Sequence, residues 1–180
     1  MNIVGIIPSR YASTRFPGKP LKLIAGKSLI ERVWRQAKKC RSLSEVYIAT
    51  DDARIRDAAL AFGAKVVMTS KACKSGTDRL AEAAKKAARN ADIIINIQGD
   101  EPVISPALID SIAGCLKKDK KLAAATAAFP LRSTGELNSP NVVKVVMDSK
   151  KNALYFSRYP IPYPRRPKSP IGCSIAGCHL

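Results

Sequence analysis

Two rhythms of apolar and polar positions run along this chain, and the switches between them mark its elements. Short unbroken apolar runs at 2–7 (NIVGII), 45–49 (EVYIA), 65–68 (KVVM) and 92–97 (DIIINI) read as parallel strands, since a strand covered on both faces has no polar side to alternate. The last run is the most hydrophobic and is expected at the centre of the sheet. Between the runs the apolar positions recur at helical spacing. Ser28-x-x-Glu31 predicts a capping box, followed by a helix with Leu29, Ile30, Val33, Trp34 and Ala37 inward. Thr50-Asp51-Asp52 caps a second helix, with Ile55, Ala58, Ala59 and Phe62 inward and Gly63 as its stop. Thr77-Asp78 opens a third, running to Arg89 with Leu80, Ala83, Ala84 and Ala87 inward. Ser105 and Pro106 open a fourth, with Leu108, Ile109, Ile112 and Leu116 inward.

This alternation predicts an α/β fold, a mostly parallel mixed sheet with helices on both faces, forming one domain over 1–180. From Leu122 the pattern changes. Segments 123–129, 141–148 and 153–156 are strand-like with short polar connections and no helix between them, which predicts antiparallel additions to the sheet. The stretch 157–180 is rich in Pro, Arg and Gly and has little periodicity. Ligands of such sheets bind beyond the carboxyl ends of the strands, so the loops starting at Pro8, Thr50, Thr69 and Gln98 are expected on one rim.

The first of these loops, PSRYASTRFPGKPL at 8–21, carries Arg10, Arg15 and Lys19 and no acid. Gly18, Pro17 and Pro20 give it an irregular backbone, and Ser9, Ser13 and Thr14 add hydroxyls, a composition suited to anionic oxygens. The third loop adds Ser75, Gly76, Thr77 and Arg79; the loop after the fourth strand adds Gln98, Asp100 and Glu101. Cations, hydroxyls, an amide and a pair of acids make a site for a nucleoside triphosphate with Mg²⁺. A hard cation needs only one or two protein carboxylates when phosphates and water complete its shell, and Asp100, after the permissive Gly99, suffices as the anchor.

Composition narrows the remaining classes. Lys+Arg 31 against Asp+Glu 14 gives a net charge of +17, which points to an acidic partner without choosing among nucleotide, polynucleotide and sugar acid. Much of the excess lies in lysine pairs such as Lys38-Lys39, Lys85-Lys86 and Lys117-Lys118, at helix ends or in turns. Five scattered cysteines do not describe a disulfide framework, and no apolar stretch approaches a signal core or a membrane span, so a reducing, cytoplasmic setting is expected. Gly26-Lys27-Ser28 mimics the end of a Walker A motif, but Leu21 stands where that motif needs its first Gly. The lone His179 is a poor basis for a hydrolase triad; Cys173, Cys178 and His179 make too loose a set for zinc; no dinucleotide glycine fingerprint follows the first strand.

Six ordered blocks, IIPSRYASTRFPGKPL at 6–21, ATDD at 49–52, SGTDR at 75–79, NIQGDEP at 96–102, SPNVVKVVMD at 139–148 and YFSRYPIPY at 155–163, cover nearly the whole chain. Together they resemble the 3-deoxy-D-manno-octulosonate (Kdo) cytidylyltransferases, the CMP-Kdo synthetases. The resemblance implies transfer of CMP from CTP to Kdo with release of pyrophosphate, for lipopolysaccharide assembly. It implies that Arg10 and Lys19 bind the triphosphate, with Arg15 beside them; that Ser75, Gly76, Arg79 and Gln98 lie at the cytidine; and that Asp100 holds Mg²⁺. Arg158 and His179 resemble the part of the family's pocket that takes the Kdo carboxylate and hydroxyls. The family continues past the position of His179, so the chain reads as C-terminally truncated, with CTP and Kdo as partners, no specific nucleic acid or membrane partner, and a family-like homodimer. Two other readings stand beside this one: a cytidylyltransferase for another sugar acid, of the acylneuraminate type, and a non-catalytic basic module that binds RNA or another anion.

Overall fold

The computed structural model describes residues 1–12, 16–161 and 175–178, and these fall into two units, Met1–Ala123 and Ala124–Leu180. The first unit is built on a parallel sheet of four strands in the order β5-β4-β1-β6, where β1 is Ile3–Ser9, β4 Glu45–Thr50, β5 Lys65–Met68 and β6 Ile93–Asn96. Parallel register pairs Ile6 with Tyr47 and Val4 with Ile94. A two-stranded hairpin, β2 (Leu23–Ile24) and β3 (Lys27–Ser28), precedes the first helix. Its two turn residues, Ala25 and Gly26, both have positive φ, as a tight primed turn requires. Gly26 therefore serves a turn, in keeping with rejection of the Walker motif.

Helices α1 (Leu29–Ala37), α2 (Ala53–Ala61), α3 (Gly76–Ala87) and α4 (Pro106–Lys118) connect the strands. Ile3, Ile7, Val46, Ile48, Ile93 and Ile95 pack on one face of the sheet with Ile30 and Val33 of α1, Ile55 and Ala59 of α2, and Ile109 and Ala113 of α4. Val4, Ile6, Ala49 and Val67 point to the other face and meet Ala83 of α3. The strand alternation thus sends successive residues of one apolar run into two cores. Burying side chains such as Ile3, Ile6 and Ile7 completely stabilises the fold by about 2–3 kcal/mol each.

Caps follow the expected chemistry. Ser28, Asp52 and Ser105 accept from backbone N–H groups at the starts of α1, α2 and α4, and Gly63, at φ 83, ends α2. Trp34 is half-buried against the larger core and meets Phe62 at a ring-centroid distance of 5.3 Å. Three expectations for the first unit differ from the structure. The third helix is capped by Ser75 rather than Thr77. Leu108 is exposed, Ala113 taking the inward place. Strand β6 is an end strand among the described residues, not a central one. Its hydrophobicity reflects helices on both faces, with Ile93 and Ile95 in one core and Ile94 against the other, and says nothing about lateral neighbours.

In the second unit, β7 (Phe129–Pro130), β8 (Val143–Met147), β9 (Ala153–Ser157) and β10 (Ile175–Cys178) form an antiparallel sheet in the order β7-β10-β8-β9. The strands are antiparallel as expected, but they pair among themselves in a sheet of their own rather than extending the parallel one. A five-residue helix, α5 (Thr134–Asn138), capped by Ser133, lies where only a polar connection was expected. Strand β10 falls in the stretch without periodicity and is held by pairing with β7 and β8.

Candidate nucleotide site

The carboxyl ends of β1 and β6 bring the first and last rim loops together. Beyond β1, the Gly18 N–H donates to the Tyr11 carbonyl at 2.9 Å, and Gly18, at φ 70, caps a 3-10 turn over Lys19–Leu21. That turn carries Lys19, whose Nζ stands 2.8 Å from Oδ2 of Asp100. Asp100 is placed by Gly99: a Cβ there would lie 2.9 Å from the Pro8 carbonyl oxygen, so only glycine lets the two loops approach this closely. Lys19 and Asp100 are both about half exposed, open to a ligand from solvent. Gln98 is half-buried at the start of the same loop. The Ser9 hydroxyl, at the end of β1, is buried without a hydrogen-bond partner among the described residues.

Arg10 reaches sideways, its guanidinium donating to the Lys74 carbonyl at 2.9 Å, which couples the first loop to the third. The third loop is built around the start of α3. Ser75 and Asp78 form a reciprocal capping box, holding Asp78 below the usual carboxylate range through its hydrogen bond with Ser75. Gly76 lies against the Pro8 ring, 3.8 Å from the place of an added Cβ. Arg10, Lys19, Ser75, Gly76, Gln98 and Asp100 all sit at the same end of the first unit's sheet. Arg15 lies outside the described residues.

Arg79, expected at the cytidine, is instead wholly buried. Its guanidinium donates to the Thr69 hydroxyl and stands 3.2 Å from Oδ2 of Asp51, and its Nε has no partner among the described residues. Thr69, in turn, donates its N–H to the Thr50 carbonyl at 2.8 Å. Arg79 thus ties the ends of β4 and β5 to the first turns of α3. Asp51 and Thr69 are structural partners that the sequence does not reveal; the ATDD block carries the signal, but Thr50-Asp51-Asp52 reads as a helix cap. The Asp52 carboxylate does cap α2, and the hydrogen bond from Arg54 holds it below its ordinary value.

A hard divalent cation accepts only oxygen donors at such a place. The described residues contain no cluster of three or more metal-binding side chains, while Asp100 presents a half-exposed carboxylate beside the cations of the first loop. That donor set fits a cation shared with a triphosphate and does not fit an all-protein cage.

In the second unit, the Arg158 guanidinium donates to the Pro140 carbonyl at 2.7 Å. Lys144, wholly buried in β8, donates to the carbonyls of Ser139, Val142 and Arg158, three acceptors for its three protons. Burial lowers its pKa, with the Arg158 charge adding to the effect. His179, Cys173 and the Cys178 side chain lie outside the described residues. No helix among the described residues is long and apolar enough to cross a membrane.

Comparison with known proteins agrees with this fold. A family model described as cytidylyltransferase matches residues 4–176. The chain is 49% identical over 168 residues to a 3-deoxy-manno-octulosonate cytidylyltransferase of Myxococcus xanthus, covering 93% of this chain and 67% of that protein. It is 50% identical over 166 residues to one of Desulfosudis oleivorans, covering 92% and 67%. The chain thus spans about two thirds of the length of these relatives. A solved structure of a CMP:2-keto-3-deoxy-manno-octonic acid synthetase complexed with CTP superposes with a TM-score of 0.90 at 42% identity, covering 100% of this chain and 72% of that one. A 4-diphosphocytidyl-2C-methyl-D-erythritol synthase, 10% identical, shares the fold at a TM-score of 0.56. With a parallel sheet whose rim gathers Arg10, Lys19 and Asp100, and with these identities over nine tenths of its length, the chain belongs to the cytidylyltransferases, and within them to the 3-deoxy-manno-octulosonate cytidylyltransferase family.

Proposed function

We propose that this chain transfers the cytidylyl group of CTP to Kdo, giving CMP-Kdo and pyrophosphate and so activating Kdo for lipopolysaccharide assembly. The observation that carries the reading is the meeting of Lys19 and Asp100, 2.8 Å apart, at the ends of β1 and β6. A cation and a carboxylate at one strand-end crevice are what a triphosphate with its counter-ion requires.

Lys19 and Arg10 bind the triphosphate and oppose the charge that builds on the α-phosphate and the departing pyrophosphate. Ser75, Gly76 and Gln98 lie at the cytidine, with Arg79 fixing their loop. Arg158 offers a guanidinium fork to the sugar-acid carboxylate. In the reaction the anomeric hydroxyl oxygen of Kdo bonds to the α-phosphorus, the bond from that phosphorus to the bridging oxygen of the β-phosphate breaks, and the hydroxyl proton passes to solvent. Asp100 would hold Mg²⁺, which when bound supplies positive charge to the phosphate oxygens.

Pyrophosphate release, measured with CTP and either Kdo or N-acetylneuraminate, tests the reading. Release with CTP and Kdo is expected, and Asp100→Ala should lower kcat by about a hundredfold. Turnover with N-acetylneuraminate alone would reassign the sugar acid. Silence with both, together with salt-sensitive binding of polynucleotide, would replace the enzyme by a basic binding module.

A further inference from the structure

The first rim loop is braced from helix α2 by a stack. The Arg54 guanidinium carbon lies 3.3 Å from the centroid of the Tyr11 ring. The same guanidinium is oriented by a fork to Asp52, with Nε to Oδ1 at 3.0 Å and a terminal nitrogen to Oδ2 at 2.7 Å, while Oδ1 also accepts the Arg54 N–H as the cap of α2. Tyr11 is therefore held between a rigid helix start and the loop. Towards the loop, its carbonyl accepts the Gly18 N–H, and a Cβ on Gly18 would stand 3.1 Å from the Tyr11 ring carbon and hydroxyl oxygen. Gly18 caps the turn that carries Lys19, so the height of that turn is set by the face of the Tyr11 ring.

We propose that Tyr11 and Arg54 are positioning residues for the nucleotide: their stack fixes Gly18, and through it the placement of Lys19 against the triphosphate. The proposal rests on the reading of Lys19 as a triphosphate contact. Arg54 acts here through its plane and not through its charge, because Asp52 engages two of its three guanidinium nitrogens and the ring covers one face. A lysine keeps the charge and loses both the fork and the stack.

The experiment is calorimetric binding of CTP to the full chain, with KM and kcat in the pyrophosphate assay. Tyr11→Leu and Arg54→Met should each weaken CTP about fivefold. Arg54→Lys should behave like Arg54→Met, Tyr11→Phe should restore affinity to within twofold of wild type, and the Tyr11→Leu/Arg54→Met double variant should be no weaker than either single one. A purely structural role would lower the melting temperature and leave CTP affinity untouched. If Tyr11→Leu does not fold, Arg54→Met, at an exposed side chain, carries the test. Wild-type affinity in Arg54→Met, or in Arg54→Lys while Arg54→Met is impaired, overturns the proposal. Lys19→Met tests the underlying reading separately: unchanged CTP affinity in that variant would remove Lys19 from the triphosphate, whatever Tyr11 does.

Discussion

Gly99 shows at the scale of one residue how backbone contact governs the site. The atom that an added Cβ would meet is the Pro8 carbonyl oxygen in the middle of the rim, so no side-chain rotation can relieve the contact. Gly99→Ala should destabilise the fold by about 2 kcal/mol in urea unfolding and weaken CTP as Asp100 is displaced, since forced overpacking typically costs about 1–3 kcal/mol. A wild-type urea midpoint would show that the two loops can part without cost. The place of this glycine before a strand-end acid was legible in the chain. The situation of Arg79 was not: a guanidinium in a polar stretch reads as a surface or ligand-binding group, and only the fold shows Asp51 and Thr69 waiting for it underneath. Lys144 makes the same point in the second unit, where the backbone carbonyls of Ser139, Val142 and Arg158 stand in for an acid partner.

Among elements, α3 and the loop before it depend most on charge. Glu82 accepts from Lys86 at 2.7 Å, from the Ser70 N–H at 3.0 Å and from the Cys73 thiol at 3.2 Å, and these bonds, Lys86 foremost, hold its carboxyl at about 2 against an ordinary 4.5. A depressed folded-state value means that its contribution is complete above pH 4.5 and disappears as pH falls towards 2. Glu82→Gln should therefore lower the melting temperature at pH 6, with the gap to wild type closing near pH 2. A gap independent of pH would show that charge is not what Glu82 contributes. Hydrogen bonding to Glu82 also raises the Cys73 thiol, and burial pushes Cys40 up to about 11, so neither is a ready thiolate. Element types and most caps of the first unit could be read from the chain because they are local: a serine, a helical period, a glycine stop. Strand order could not, and the end position of β6 is the example, since an apolar run records burial of its faces and not the identity of its neighbours.

Over the whole molecule, the net charge of +17 exceeds what the nucleotide site needs. In the first unit, lysine pairs end α1, α3 and α4, where they complement the negative ends of the helix dipoles. Helix α4 starts beside the rim and runs 13 residues, about 20 Å at 1.5 Å per residue, so its terminal lysines stand well beyond the screening length of about 8 Å in physiological salt. Lys117→Gln/Lys118→Gln should thus keep KM for CTP within twofold of wild type at that ionic strength, and a larger change would mean that the distant charge steers the nucleotide. The chain alone determined the α/β alternation, the basic first loop with its glycine and prolines, the Gly99-Asp100 strand end and, through six ordered blocks, the family. All of these are written in short stretches whose chemistry is carried by adjacent residues. The tertiary structure decided which strands are neighbours, that the antiparallel strands form their own sheet, that Arg79 is buried, and that Arg54 stacks on Tyr11. Each depends on groups far apart in sequence, and only the burial of a shared core brings such groups to one place.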